Sequence, residues 1–191
     1  MIKYSFTKEE IDACKLFSEG VDTSHYSKRG QNNDQKRQKD AFIGKLGEVA
    51  VYQSLKDKVS NMDFPDFRIF SAKEKSWDFD LKGDEVNLHV KTQDVEQGEK
   101  YGVSWIFQYG NGKNQHYDRE IFDNLTPNQY VAFVSLSLKE NFALVRAILK
   151  LEFLHERKLF GLPKLEHLQK ANKKAVYLKD IERYLTELNQ L

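Results

Sequence analysis

Residues 77–93 read WDFDLKGDEVNLHVKTQ, and this stretch has the pattern of a β-hairpin. Apolar and polar residues alternate along both arms, as expected when one face of a two-stranded ribbon is buried. Gly83-Asp84 is assigned to the turn, because glycine adopts positive φ most easily. A tip between these two residues would set Asp78 opposite His89. The apolar face is predicted to carry Phe79, Leu81, Val86, Leu88 and Val90.

The opposite face of the predicted hairpin is polar and carries Asp78, Asp80, Asn87, His89, Lys91 and Gln93. The same tip would set Asp80 opposite Asn87. Carboxylates beside a cation on an otherwise apolar ribbon are typical of sites that cleave phosphodiesters with a bound metal ion. The alternative is a solvated polar face, on which a charged cross-strand pair contributes roughly a few tenths of a kcal/mol.

Composition favours one ordinary intracellular domain. The chain has 191 residues, with 13 Phe, 9 Tyr and 2 Trp to fill a core. A net charge of +1 excludes a strongly cationic nucleic-acid binder, so any such contact must come from local patches. The single cysteine, Cys14, excludes an internal disulfide, and the histidines lack zinc-site spacing. Without an apolar signal segment or an 18-residue apolar run, a cytoplasmic protein is expected.

The remaining pattern predicts an α/β (α+β) fold. Thr7 and Glu10 form a capping-box signature for a first helix that ends near residue 19. A second helix is expected over about residues 35–57, with a buried apolar face. Strands are predicted near residues 67–71, 103–108, 130–138 and 143–151. Further helices are predicted near residues 118–125, 152–160 and 180–188, the last capped by Asp180.

The second predicted helix contains an isolated carboxylate. In residues 41–52, AFIGKLGEVAVY, only Lys45 and Glu48 are charged. Gly44 and Gly47 each cost about 1 kcal/mol relative to alanine. That cost predicts a close approach of the helix to a sheet or a phosphate backbone. The alternative is a Lys45–Glu48 pair at i, i+3 on a partly solvated face.

The order of these residues along the chain resembles that of the PD-(D/E)XK nuclease superfamily. A glutamate within G-x-x-G-E on a helix comes first, an aspartate on a strand follows, and x-x-Lys lies on the paired strand. The resemblance covers roughly residues 35–138. It implies a restriction-endonuclease-like fold, a central mixed β-sheet flanked by helices, with residues 139–191 packing on this core as part of a single domain. It also implies a DNA endonuclease that depends on Mg²⁺ or Mn²⁺, as a dimer if both strands are cut. A restriction, repair or junction-resolving role would each fit.

The resemblance assigns roles to residues of the hairpin and the helix. Glu48 and Asp78 would hold the metal ion, and Lys91 would stabilise negative charge on the attacked phosphate. His89 stands where the family usually has an acidic residue, and three roles are open to it: ligand of a softer metal, acceptor of a proton from water, or mark of a weakened or inactive enzyme. Gln93 would hold a water or the nucleic-acid backbone, the alternative being simple exposure to solvent.

The identity of the metal-binding aspartate stays open among Asp78, Asp80 and Asp66. The hairpin register favours Asp78, because the two acidic positions of this family usually face each other. The metal-ligand set is therefore predicted to come from Glu48, Asp78, Asp80 and His89.

Local basic and amide-rich stretches are the candidates for DNA contact. They comprise Lys28, Arg29, Lys36, Arg37, Lys113, Asn114 and His116, with a further basic stretch over residues 157–174. Two other functions remain open. One is an inactive nuclease-fold protein that binds DNA or supports assembly. The other is a domain with a solvated hairpin and no role in nucleic-acid binding.

Overall fold

A computed structural model describes residues 1–21, 33–70, 79–109 and 119–188. Its strands are β1 (Ile2–Ser5), β2 (Leu81–Gly83), β3 (Val86–Asp94), β4 (Ser104–Gln108), β5 (Gln129–Ser137), β6 (Phe142–Lys150) and β7 (Lys173–Tyr177). Its helices are α1 (Lys8–Gly20), α2 (Asp34–Leu55), α3 (Val95–Tyr101), α4 (Arg119–Phe122), α5 (Leu151–Glu156), α6 (Glu166–Lys170) and α7 (Leu178–Leu188).

A five-stranded mixed sheet in the order β1-β6-β5-β3-β2 forms the centre of the fold. Strand β3 runs parallel to β5, and the other neighbouring pairs are antiparallel. The mixed α+β class predicted from the sequence is confirmed. The apolar run of β5 lies between β6 and β3 with both faces buried, as an inner strand requires. Strands β4 and β7 pair separately as a two-stranded sheet.

Hydrophobic cores lie on the two faces of the five-stranded sheet. On one face, α1 and α2 pack against alternate residues of the strands, including Leu88, Val134 and Val145. On the other face, the β4–β7 pair and the C-terminal helices cover the intervening residues, including Val131 and Phe133. A residue of β3 therefore belongs to one core or the other according to its position in the strand alternation.

The two long N-terminal helices match their sequence patterns. In α1, the Thr7 side chain accepts a hydrogen bond from the Glu10 backbone nitrogen, and the Glu10 carboxylate accepts one from the Thr7 backbone nitrogen, which completes the capping box. Helix α2 begins after Asn33, whose side chain caps it. The glycine prediction is confirmed for Gly47, where a Cβ atom would lie 1.8 Å from Thr92 Oγ1. For Gly44, no described atom outside the backbone of its own helix lies within 4 Å of an added Cβ, so this position packs on no described part of the sheet, and an approach to a phosphate backbone there stays a prediction.

The hairpin forms, but its turn lies one residue later than predicted. Leu81 pairs with Leu88 and Gly83 with Val86, so Asp84 and Glu85 make the turn. Glu85 takes the positive φ of 57°. Gly83 instead accommodates residues 59–62, because a Cβ atom there would lie 2.5 Å from Val59 Cγ1. The predicted pairing of Asp80 with Asn87 is therefore wrong, because Asn87 pairs with Lys82. Asp78, predicted to lie opposite His89, is outside the described residues.

Several other predictions need correction. Residues 67–70 form no strand, and the described part of the predicted helix over residues 118–125 is helical only over Arg119–Phe122. Asp180 lies in the first turn of α7 rather than before it. Strands β1 and β7 and helices α3 and α6 were not predicted. Because β1 and β6 belong to the central sheet, that sheet extends beyond residues 35–138 at both ends. Within the described residues, no helix is long and apolar enough to span a bilayer.

Candidate acidic site beside the hairpin

Glu48 and Lys45 form a largely buried ion pair on α2. The Lys45 side chain is 7% exposed and that of Glu48 is 15% exposed, with 2.5 Å between Nζ and Oε2. Lys45 Nζ also donates to the backbone oxygen of Asp66 over 2.8 Å and lies 4.5 Å from the centroid of the Phe17 ring. Lys45 therefore fixes the Glu48 carboxylate and ties α2 to the extended segment that contains Asp66.

The Glu48 carboxyl is an unusually weak acid in this setting. Burial, as the largest cause, and the carboxylates of Asp80 and Asp66 together raise its pKa to about 8, against the opposite effect of Lys45. Burial and neighbouring negative charge outweigh the single ammonium group. A carboxyl with this balance of charges gains free energy when a cation comes close, which is the electrostatic property of many metal and catalytic sites.

Asp80 occupies the end of the β2–β3 ladder. Its backbone nitrogen donates to Leu88 O over 2.9 Å, and its Oδ2 accepts from the backbone nitrogen of Val90 over 2.7 Å. The carboxylate thus takes the ladder position of a strand carbonyl, which explains why β2 begins only at Leu81. This bond holds the half-buried Asp80 carboxylate in place beside Glu48.

A groove of about 750 Å³ opens beside Asp80. It separates the extended segment over residues 63–68 from the start of the hairpin. Aromatic rings, cations and carboxylates all line it, the residues being Asp63, Phe64, Pro65, Asp66, Phe67, Arg68, Phe79, Asp80, Leu81 and Lys82. An open, mixed surface of this kind gives a ligand access to the edge of the Glu48–Asp80 pair.

Lys91 does not join Glu48. Helix α2 packs on the face of β3 that presents Thr92, as the contact at Gly47 shows. Strand alternation sends Lys91 to the other face, where its ammonium nitrogen lies 5.2 Å from the centroid of Phe107 in the second core. The sequence predicted that Glu48 and Lys91 would share one site. The structure instead places them on opposite faces of β3.

His89 and Gln93 share the Lys91 face and lie within the fold. His89 is 8% exposed, and its ring centroid lies 4.9 Å from that of Phe79, which was expected on the opposite face. Gln93 Oε1 accepts from the Ser104 backbone over 2.9 Å, and Gln93 Nε2 reaches Gly102 O at 3.4 Å. Gln93 therefore connects β3 to the start of β4.

Asp66, the third candidate for the metal aspartate, is engaged by a cation. Arg68 makes two-pronged contact with its carboxylate, including Nη2–Oδ2 at 2.7 Å, and hydrogen bonds from Arg68 hold the pKa of Asp66 below its usual value. Its backbone oxygen binds Lys45. Asp66 therefore shapes the site mainly through Lys45. The i, i+3 spacing of Lys45 and Glu48 was the sequence signal for that lysine.

The residues predicted to contact DNA are only partly described. Lys36 lies on the surface of α2 and pairs with Asp40. Arg37 is 7% exposed and its guanidinium pairs with Asp34, so it is not presented at the surface. Asp78, Lys28, Arg29, Lys113, Asn114 and His116 lie outside the described residues.

Glu48 and Asp80 are the described residues that fit a divalent cation best. In the described part of the chain, no group of three His, Cys, Asp or Glu residues is placed to hold a metal ion. Mg²⁺ keeps several waters and commonly binds through only one or two protein carboxylates. Two hard oxygen ligands with excess negative charge therefore fit Mg²⁺ or Mn²⁺ completed by water and substrate oxygens.

Comparison with family models, curated proteins and solved structures finds no match to this chain.

Proposed function

We propose that the protein is a DNA endonuclease that requires a divalent cation. The observation that carries the proposal is the Asp80 carboxylate, which the Val90 backbone nitrogen holds at an open groove and whose charge acts on the largely buried Glu48. The order of elements supports a restriction-endonuclease-like fold: α2 precedes the β2–β3 hairpin, α3 follows, and β5 returns parallel to β3. The proposed site uses Asp80, one of the three aspartates that the sequence left open, and it differs from the predicted site in omitting Lys91.

Each residue of the site has a distinct task in this proposal. Glu48, once deprotonated, and Asp80 would hold Mg²⁺ or Mn²⁺ through oxygen atoms. Such a cation would supply neutralisation of phosphate charge and activation of a water for attack on phosphorus. Lys45 is a positioning residue, because it holds the Glu48 carboxylate while buried itself. One such site cuts one strand, so cleavage of a duplex requires two copies of the chain.

Asp80→Asn is expected to lower the rate of plasmid cleavage by about a hundredfold or more, the scale found when one charge-stabilising group is lost from an active site. Asparagine keeps an oxygen that can accept from the Val90 backbone, so the ladder end survives while the charge disappears. The measurement is nicking of supercoiled DNA in Mg²⁺ or Mn²⁺, with EDTA as the blank.

Asp57→Asn is the matched control, because Asp57 is exposed, lies outside the described groove lining and is not among the groups that raise the pKa of Glu48. It is expected to cut at close to the wild-type rate. Equal losses in the two variants would show that surface charge in general matters and not the Glu48–Asp80 pair. Absence of metal-dependent cleavage in the wild type on supercoiled, linear, branched and single-stranded DNA would reject the endonuclease.

Lys91→Met is expected to leave cleavage within about threefold of wild type, since the Lys91 ammonium lies over Phe107 on the face opposite α2. Methionine keeps the apolar length of the side chain against this core. The variant is assayed with the same plasmid, after its circular dichroism and thermal midpoint have been compared with wild type. Loss of cleavage in a variant that folds like wild type would show that Lys91 belongs to the active site, as the sequence predicted.

A DNA-binding protein without nuclease activity is the second candidate. The separation of Lys91 from Glu48 favours it, because the site then lacks the ammonium group that the resemblance predicts next to the phosphate. This candidate predicts DNA binding at low salt with no cleavage product in either metal. The plasmid assay and a parallel binding titration therefore separate the two functions.

A further inference from the structure

We propose that the groove over residues 63–68 holds an unpaired nucleotide whose base stacks on Phe64, so that the substrate is single-stranded or locally unpaired DNA. This inference rests on the proposed function and specifies its substrate. The juxtaposition behind it is an exposed aromatic ring in a groove that ends at Asp80.

Phe64 is a supported but exposed aromatic platform. It is 56% exposed, although phenylalanine is among the residue types most often buried. Its ring stacks on that of Phe67, with centroids 5.8 Å apart and planes inclined by 19°, and the edge contact with Tyr52 has centroids 5.0 Å apart. Packing on these two rings holds Phe64 in one orientation while part of it remains open to the groove. The exposed part of a ring held in this way offers apolar surface to a flat partner.

The dimensions of the groove suit one nucleotide. Its volume of about 750 Å³ lies within the roughly 300–1,000 Å³ of pockets that enclose small organic ligands. Three phenylalanines, Phe64, Phe67 and Phe79, contribute apolar surface to its lining. Paired bases in a duplex expose only their edges, whereas unpaired bases present the faces that stack on aromatic side chains. The groove therefore favours an unpaired base over a continuous double helix.

The described lining of the groove carries charges of both signs, with three carboxylates and two cations. Arg68 and Lys82 line the groove, and the Arg68 side chain is 77% exposed. Arg68 also neutralises Asp66, while Asp63 and Asp80 remain as further acidic groups of the lining. A divalent cation at Asp80 would remove the repulsion between that carboxylate and phosphate. We therefore expect DNA affinity to increase when the cation is added.

The test measures binding without hydrolysis. A fluorescently labelled single-stranded oligonucleotide and the same sequence as a duplex are titrated at low salt in Ca²⁺, which takes the same oxygen ligands. Phe64→Leu is expected to weaken single-strand binding about tenfold, the scale of losing one stacked base, and to leave duplex binding unchanged. Phe64→Trp should bind the single strand at least as tightly as wild type. Leu162→Ala, another exposed apolar position at 65%, is the control and should match wild type.

The outcomes separate this inference from the proposed function. Unchanged single-strand affinity in Phe64→Leu, or equal losses on single strand and duplex, would overturn the stacking site even if the protein cleaves plasmid. A selective loss on the single strand would support the site even if no cleavage is found in any metal, in which case only the endonuclease fails. A thermal midpoint that falls with Phe64→Leu while affinity stays constant would assign the ring to packing alone and overturn the inference.

Discussion

Gly47→Ala is expected to destabilise the protein by about 2 kcal/mol or more, the upper part of the range for overpacked cores. The added Cβ atom would lie 1.8 Å from Thr92 Oγ1 and 2.9 Å from Thr92 Cβ. Thr92 is a β-branched residue within the sheet, so its side chain has few rotamers into which it can retreat. Helix α2 must therefore move away from β3, carrying Glu48 with it. Equilibrium denaturation in urea measures the loss.

Gly44→Ala provides the matched control on the same helix. No described atom lies within 4 Å of its Cβ position, so the substitution is expected to stabilise the protein by up to about 1 kcal/mol through helix propensity alone. Combining Gly47→Ala with Thr92→Gly should recover part of the loss, because the clashing side chain is then absent. Gly47→Ala as stable as wild type would show that the helix does not rest on Thr92 as described.

The fate of the two glycines shows how far local sequence reasoning reaches. A costly residue in a helix interior predicts that something lies close, but not what it is. Gly47 meets Thr92, a contact set by how α2 crosses the sheet, whereas nothing described explains Gly44. The crossing also decides which face of β3 the helix covers. Alternation could therefore group His89 with Lys91 correctly while leaving open that Glu48 would lie on the other side.

The hairpin gives a second example. Its alternation was sufficient to locate both strands and to place Leu81 with Leu88 on the buried face. Its register depended on the turn. The preference of glycine for the turn position was overridden there by a tertiary contact. Gly83 is required for the approach of Val59, so the left-handed position falls to Glu85. Moving the turn by one residue shifts the pairing by two, which preserves the faces while changing every partner.

The short edge elements escaped prediction for a related reason. Strand β1 has four residues and pairs with β6, which lies far away in the sequence, so no local hairpin signal accompanies it.

Residues 67–70 have a strand-like composition but form no strand in the structure. The Phe67 ring meets Phe17 from α1, with centroids 5.8 Å apart. Such long-range contacts are set by the fold as a whole, which local periodicity does not encode.

Glu48→Gln is expected to abolish metal-dependent cleavage, with a loss of about a hundredfold or more because the carboxylate that holds the cation is removed. Glutamine keeps the shape of the side chain and an oxygen that can accept from Lys45 Nζ, but it cannot become the carboxylate that holds the cation. The double variant Lys45→Met with Glu48→Gln removes both charges and is the control for folding. Full cleavage in a folded Glu48→Gln protein would show that Glu48 does not hold the ion.

The raised pKa of Glu48 gives this prediction a pH dependence. Below about pH 8 the folded protein keeps this carboxyl protonated, so a cation must displace the proton and its affinity should rise by up to about tenfold per pH unit from pH 6 to pH 8, then level off. Without metal, the same shift makes the folded state less stable as pH rises from about 4.5 to about 8, because the unfolded chain releases the proton first. Calorimetric titration with Mn²⁺ across this range measures the slope. Glu48→Gln should remove this pH dependence of the Mn²⁺ affinity. A wild-type affinity that stays constant between pH 6 and pH 8 would show that Glu48 does not bind the cation.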